Sequence, residues 1–415
     1  MIKESTQVVI VGAGPSGSTA SALLHAQGIE VVVIEKARFP RFSIGESLLP
    51  ACMEVIEQAG MLDAVNDYGF QFKDGAAFRR NGVYTEFEFT DKFSAGPGTT
   101  FQVQRGNFDK VLADSAQQQG VEIRYQHELA ELEFVGKRSL LTIKDQADVS
   151  YQIEADYVLD ASGFGRVLPK MLDLELPSCL PPRKAIFTHI VDNIDAQEIE
   201  YDRNKILISV HPDNRDVWYW LIPFSNGVCS FGVVGEPDFF ERYPEDKIAA
   251  IKQLATEEAD LAKLLVNAEY PNPAGELGGY SANVKQLATQ HYALLGNAGE
   301  FLDPVFSSGV TIAMKSAQYA TECVVKQLNG EVVDWDKQYA QPLMVGVDTF
   351  RTYVEGWYSG ALQDVIFYQS PNPRIKQMIS SILAGYAWDQ NNPYVNNSEQ
   401  RLRTLAELVR ENTNA

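Results

Sequence analysis

The first strong pattern in the chain is an apolar, β-branched run at residues 7–11 that ends on three glycines, Gly12, Gly14 and Gly17, and continues as helix-forming residues to Gln27. Gly28 stops that helix, and a second apolar run at 31–34 closes on Glu35. Continuous apolar runs bounded by glycine turns and separated by a helix predict parallel strands buried on both faces. Between about 175 and 280 the pattern changes to short alternating strands at 206–210, 217–222 and 228–234, with Asp213 and Asn214 supplying a turn. Alternation predicts an antiparallel sheet, to which 71–89 adds strands. Further on, a strand end at 293–295 runs into Gly296 and Gly299, and after Pro304 the small run Ser307, Ser308, Gly309 opens an apolar helix from Val310 to Tyr319. From Asp334 the chain reads as helical and aromatic-rich. Tyr353, Trp357, Tyr358, Phe367, Tyr368, Tyr386 and Trp388 are assigned mainly to core, and a short charged helix follows Asn391. The pattern divides the chain into 1–175 with 281–330, a sheet region at 176–280 joined by strands from 70–104, and a helical region at 331–415.

A chain of 415 residues can build two or three packed layers. Its 45% hydrophobic, 11% aromatic and 22% charged residues are those of a globular protein, without repeats or low-complexity tracts. The formal charge of -20, from 35 basic and 55 acidic residues, argues against nucleic acid or an anionic membrane as partner. An acidic carrier protein would need a local basic patch. The cysteines Cys52, Cys179, Cys229 and Cys323 lack C-x-x-C spacing, and His25, His127, His189, His211 and His291 fall in no motif. Neither a disulfide framework nor a metal site is therefore expected. No apolar run approaches the roughly 18 residues of a membrane span. The first strand begins almost at Met1, so a cytoplasmic protein without a leader is expected.

A G-x-G-x-x-G spacing alone is a weak signal. Here it lies between a strand and a helix, with Glu35 eighteen positions after Gly17 at the end of the next strand, which makes it a dinucleotide-binding fingerprint. Its glycines let the turn close and bring backbone to a pyrophosphate at the helix N-terminus, and Glu35 is placed to accept from a ribose. Only one such fingerprint is present, so a separate NAD(P)H site is not expected. The run Ser307–Ser308–Gly309 leaves N–H groups free at a second helix start, a setting for a small anion or the edge of an electron-rich ring.

Two further motifs carry a family resemblance. Phe301, Pro304, Ser307 and Gly309 stand at the spacing F-x-x-P-x-x-S-x-G, and Trp218, Trp220, Ile222 and Pro223 at W-x-W-x-I-P. Both resemble signatures of the flavin-dependent halogenases, relatives of the FAD-dependent aromatic monooxygenases, and the likeness runs from about residue 8 to about residue 320. It implies an α/β chain with a Rossmann-like FAD-binding domain, an antiparallel substrate sheet like that of the aromatic hydroxylases, and a helical C-terminal region. It implies FAD, arriving as FADH2 from a separate flavin reductase. The implied cofactor residues are Gly12, Gly14, Gly17, Glu35, Lys36 and Arg41, Glu46 and Ser47 of a G-E-S segment, Arg105 of V-x-R-x-x-F-D-x-x-L, Asp160 of a D-A-S-G turn, and Gly296, Asn297, Pro304, Gly309 and Val310. One departure is Gly296-Asn297, where the families usually carry Gly-Asp. Asn297 keeps its hydrogen-bonding capacity but removes a charge.

The chemistry implied by the resemblance makes hypohalous acid from oxygen and chloride or bromide and hands it to a lysine. Phe70, Lys73, Gly75, Ala76 and Phe78 match the family's F-x-x-K-x-G-A-x-F, so Lys73 is the candidate catalytic residue. The halide would sit on the backbone N–H groups of Ser308 and Gly309. Trp218, Trp220, Ile222, Pro223, Phe301, Phe306 and Ser307 would line the route and wall the substrate from the flavin. Tryptophan-specific members carry Glu immediately before the Ser of S-x-G. Phe306 occupies that place here, which points to a phenol- or pyrrole-like ring, free or tethered to a carrier protein. The alternative is an FAD-dependent monooxygenase or oxidoreductase that uses NAD(P)H and does not halogenate.

Overall fold

The strand that leads into the glycine turn is longer than its apolar run, spanning Lys3–Val11, in the computed structural model, which describes residues 3–195 and 201–414. It pairs in parallel with Val31–Glu35 on one side and with Ser150–Asp160 on the other. Glu122–Tyr125 extends the sheet beyond Val31–Glu35, and Tyr292–Leu294 pairs in parallel with the last three residues of Ser150–Asp160. The first half of that long strand pairs instead with Arg138–Lys144, antiparallel, which in turn pairs with Glu128–Val135. The sheet is thus parallel where its strands end together. Helices Pro15–His25, Arg105–Gln118 and Gly309–Leu328 pack together beside it. The parallel strands alternating with helices are as expected, because residues such as Val9, Val33 and Val158 are buried from both faces.

The second sheet runs in the order Gly275–Gly278, Lys184–Val191, Val228–Gly235, Trp218–Pro223, Lys205–Val210, Gly75–Arg80, Val83–Glu88. Its pairs are antiparallel except Lys205–Val210 with Gly75–Arg80. Every residue of Lys205–Val210 and Trp218–Pro223 is buried, so both faces of the sheet are covered there. Trp218, Trp220 and Ile222 face the main core. Tyr219 and Leu221, on the opposite face, meet Ile251 and Leu254 of the helix Lys247–Glu257 and Leu261 of Ala259–Leu264. That two-helix cover was not anticipated from the alternating pattern. Its start is legible in retrospect, since Asp246 Oδ1 caps the first helix by accepting from Ala249 N at 2.7 Å.

The expectation that 71–89 joins this sheet holds for Gly75–Arg80 and Val83–Glu88 but not for Gln71–Lys73. That short strand pairs antiparallel with Thr100–Gln102 in a separate ribbon. The chain changes partners at Asp74, whose N–H donates to Asn204 O while its carbonyl accepts from Phe89 N. Lys73 is therefore held at the seam between the two sheets.

Helices Gln341–Tyr358, Ala361–Ile366, Pro373–Leu383 and Ser398–Asn414 close the remaining side of the core. Phe350, Tyr353 and Trp357 are fully buried there, as the core reading of the aromatic residues expects. Trp357 joins the C-terminal helices to both other parts, lying 6.1 Å from Phe78 of the second sheet and 6.1 Å, edge-on, from Phe306. Among the described residues no helix is long and apolar enough to cross a membrane. Trp357→Ala is expected to lower stability by about 3–5 kcal/mol, seen as an earlier urea midpoint with an unchanged slope.

Candidate active site

The parallel strands finish at one edge, and three turns meet there. Gly12 adopts φ +102, and a Cβ on it would stand 2.6 Å from Ala161 O. A Cβ on Gly17 would stand 1.9 Å from Gly12 O, so the helix Pro15–His25 can sit this close to the turn only as glycine. That helix has no side-chain cap, which leaves its first N–H groups facing the cavity beside Gly12 and Gly14. Glu35 is buried in the same wall, its Oε2 accepting from Ala13 N at 2.8 Å and its Oε1 from Ala37 N at 2.7 Å. Each oxygen keeps a second lone pair for a ribose hydroxyl. The adjoining cavity measures about 570 Å³.

The other candidates divide between wall and support. Lys36, Arg41, Glu46, Ser47, Arg105, Asn297, Phe301, Pro304, Ser307, Gly309 and Val310 stand in the wall, with Trp218, Trp220 and Ile222 opposite. Arg105 is largely committed, to Asp109 at 2.8 Å and to Ile44 O at 2.7 Å, and Arg41 adds a bond to Asp109 at 3.1 Å. Asp160 lies behind the wall, fully buried, accepting from Ser162 N at 2.9 Å and Leu168 N at 2.7 Å, so its side chain shapes the turn whose Ser162 and Gly163 line the cavity. Gly296 also lies behind the lining, its N–H donating to Ser316 Oγ at 2.8 Å. Ser307 takes a left-handed conformation, φ +55, and turns the chain into the helix Gly309–Leu328, with Ser308 buried at its N-cap. Pro223 and Phe306 are outside the lining, Phe306 packing on Trp357.

Lys73 is 0% exposed. Its Nζ donates to Ser47 Oγ at 2.7 Å and Leu48 O at 2.7 Å, and lies 5.3 Å from the centre of the Phe89 ring. Among the described residues no carboxylate pairs with it. Cys52, the neighbouring thiol, is pushed by burial up to about 12 and so brings no counter-charge. Burial in these surroundings lowers the Lys73 ammonium to about 7. The amine is not itself in the cavity wall. Ser47, which accepts from it, is.

Trp218 is held by a buried polar chain. Its Nε1 donates to Tyr358 Oη at 3.1 Å, and Tyr358 donates to Asp303 Oδ2 at 2.9 Å. Asp303 also accepts from Val305 N at 3.0 Å and Tyr280 Oη at 3.4 Å, and burial raises its carboxyl to about 6 against those hydrogen bonds. Neither Asp303 nor Tyr280 was singled out from the sequence, although an Asp just before Pro304 in an apolar run is a signal of a buried acceptor. Also missed was a pair across the cavity mouth, His189 Nε2 with both oxygens of Glu46 at 2.9 and 3.0 Å.

Residues 5–271 match the family model described as FAD binding domain. The chain belongs to the FAD-binding domain family. Across its full length this flavoprotein is similar to a flavoprotein/dehydrogenase from Cytophaga hutchinsonii, with 43% identity, a TM-score of 0.95, and coverage of 99% of this chain and 100% of that one. By sequence it is 28% identical to the 1H-pyrrole-2-carbonyl-[peptidyl-carrier protein] chlorinase of Pseudomonas fluorescens, over 89% of this chain and 87% of that protein. It is 31% identical to the tryptophan 2-halogenase of Chondromyces crocatus, over 80% of this chain and 63% of that protein. The halogenase resemblance read from the motifs is thus met by relatives that carry that name, and FAD is the cofactor of this enzyme. The cleared glycine turn, the uncapped helix start and the spare lone pairs of Glu35 fit a dinucleotide with its pyrophosphate at Gly12–Gly14 and its ribose at Glu35.

Two outcomes follow for the flavoprotein. Gly17→Val should leave the purified protein with little FAD, read from flavin absorbance per mole of chain, because the side chain cannot clear Gly12 O. The second concerns Lys73, whose ammonium is lowered to about 7 in the fold from 10.5. Between those values the unfolded chain holds a proton that the folded one does not, so stability rises with pH across the window and the cost of burying the charge is complete below about 7. Lys73→Met should flatten that rise, by on the order of a few kcal/mol between pH 6 and pH 10 in urea denaturation.

Proposed function

We propose that this flavoprotein halogenates an electron-rich aromatic ring, a phenol or pyrrole that is free or tethered to a carrier protein, in the cytoplasm. Bound FAD, reduced by a separate flavin reductase, supplies the activation of oxygen that turns chloride or bromide into hypohalous acid. The observation that carries the reading is Lys73, a fully buried amine with neutral hydrogen-bond partners, one side chain behind the cavity wall. A lysine is not kept in such a place for stability, since burial of its charge is unfavourable and its neutral form gains little there.

Near neutral pH the ammonium and amine forms of Lys73 are both populated. The ammonium can polarise hypohalous acid by donating a hydrogen bond. The amine can exchange an N–H for an N–halogen bond with loss of water, and then return the halogen to the ring as the ring gives up its proton. Ser47 Oγ stands between the amine and the cavity, so in this reading rotation of the Ser47 side chain admits the oxidant. The halide is assigned to the N–H groups of Ser308 and Gly309 at the start of a 20-residue helix. Trp218 and Trp220 form the wall between flavin and ring, their indole N–H groups tied to Tyr358 and Ser230. The ring class is supported by Phe306, which brings no carboxylate before Ser307, and by the pyrrole-acting relative.

A second reading is an FAD-dependent oxidoreductase that takes electrons from NAD(P)H and does not halogenate. It is favoured by the seal of Ser47 over Lys73 and by the 43% identity to a flavoprotein/dehydrogenase. The two separate in one experiment: phenols and pyrroles, free and carrier-bound, are incubated with the holoenzyme, a flavin reductase and chloride or bromide, and products are read by mass spectrometry. Halogen isotope patterns that disappear in Lys73→Ala and require the reductase are expected. NAD(P)H oxidation by the purified protein alone, with no halogenated product, supports the second reading.

A further inference from the structure

Four carboxylates stand in the cavity wall among the described residues, Glu35, Glu46, Glu128 and Glu276. Three have backbone or lysine partners. Glu35 accepts from backbone N–H groups, Glu128 pairs with Lys36 at 2.6 Å, and Glu276 pairs with Lys184 at 3.1 Å and Lys247 at 3.6 Å. Glu46 differs. Its carboxylate is buried, and the partner of both its oxygens is an imidazole, His189 Nε2.

His189 stands on the strand Lys184–Val191, on the same face as Ala185 and Phe187, both of which line the cavity. Its ring lies 5.9 Å from Phe42 and 5.3 Å from Phe224. Phe42 stacks on Phe187 at 6.0 Å and is 63% exposed, which places this cluster at the mouth. The His189 side chain keeps 22% of its surface open while that of Glu46 keeps 3%. One titratable group therefore faces outward, a second faces the cavity, and a hydrogen bond joins them.

We propose that His189 and Glu46 form a proton port through which the FAD cavity exchanges protons with solvent. His189 Nε2 passes its proton to the Glu46 carboxylate, Glu46 then releases that same proton into the cavity, and the neutral imidazole takes up another from water, so the net event is one proton moved inward. Bound flavin would need protons on reduction, and of the carboxylates in the wall Glu46 is the one joined to a titratable imidazole at the mouth. Burial alone would lower the His189 imidazolium, but the hydrogen bond and charge of Glu46, the charged group acting on it, carry it above the ordinary histidine value. The pairing thus favours the charged form of the donor. The port rests on FAD binding and is independent of halogenation, so its failure leaves the proposed function standing.

The test uses the FAD-loaded enzyme, reduced anaerobically by a light flash with a deazaflavin donor, with proton uptake followed by a pH-indicator dye. His189→Gln keeps an N–H for Glu46 but cannot titrate. It is expected to retain FAD and to slow proton uptake on the order of a hundredfold, with recovery on adding imidazole. Uptake as fast as in the unaltered enzyme overturns the port. As a second measurement, NMR of the His189 ring against pH should show its titration moving between oxidised and reduced holoenzyme and falling in Glu46→Gln. Identical titration in the two redox states overturns it as well.

Discussion

Three backbone hydrogen bonds fix the edge on which the site is built. Gly12 N donates to Ile34 O, Ala161 N to Val11 O and Leu295 N to Asp160 O, each at 2.8 Å. They lock adjacent parallel strands in register at the point where each chain leaves the sheet, so the glycine turn, the Asp160 turn and the Gly296 turn emerge side by side. Carboxyl-end crevices of this kind are where open α/β sheets bind ligands. Here the crevice is sharpened by close backbone approach, because the helix after Gly14 sits against the Gly12 carbonyl with no room for a side chain. The cavity edge is in this sense a property of strand register first and of side chains second.

The second sheet supplies the opposite wall, and it can do so because it is covered on its far face. Burial of Trp218, Trp220 and Ile222 on one face already specifies the register, and burial of the other face adds to it. With the helices Lys247–Glu257 and Ala259–Leu264 packed there, a one-residue shift would move large side chains into the wrong core. Trp218 and Trp220 are thereby held toward the cavity. The chain from Trp218 through Tyr358 to Asp303 then joins three parts that are distant in sequence: the second sheet, the C-terminal helix Gln341–Tyr358, and the loop before Gly309–Leu328. Asp303 accepts from Val305 N of its own loop, from Tyr280 and from Tyr358, so its carboxylate is satisfied only when the C-terminal helix and the segment carrying Tyr280 are both docked, and Trp218 is joined to it through Tyr358.

Much of this was legible in the sequence where a local rule decides the outcome. The glycine spacing, the apolar run before it and Glu35 identify the first turn, since close approach and positive φ admit few residues. The buried strands and the helix after Ser307 are similarly local. What was not legible depended on distant partners. The apolar run Trp218–Pro223 does not say what covers each of its faces, and only the later helices supply the second cover. Gln71–Lys73 continues the pattern of the strand after it, yet tertiary pairing with Thr100–Gln102 separates the two. His189 lies 143 residues from Glu46, and no spacing rule joins a lone histidine to a glutamate at that remove. Asp160 was legible as a turn residue, but its direction, into its own turn and behind the wall, is set by Leu168 and Ser162.

Lys73 shows how the two kinds of information combine. The motif marks the residue, and the fold sets its proton affinity. At a surface the same side chain would be an ammonium at every physiological pH, inert as a nucleophile. Between the two sheets, with the Cys52 thiol uncharged and only Ser47 and Leu48 as acceptors, its charged and neutral forms approach equal free energy. That balance requires the seam to be dry, and dryness requires a closed wall on the cavity side, which Ser47 provides. A carboxylate beside the amine would stabilise the fold further but would also hold the proton in place. Among the described residues no carboxylate stands beside Lys73, and the amine lies one hydroxyl, that of Ser47, from the cavity.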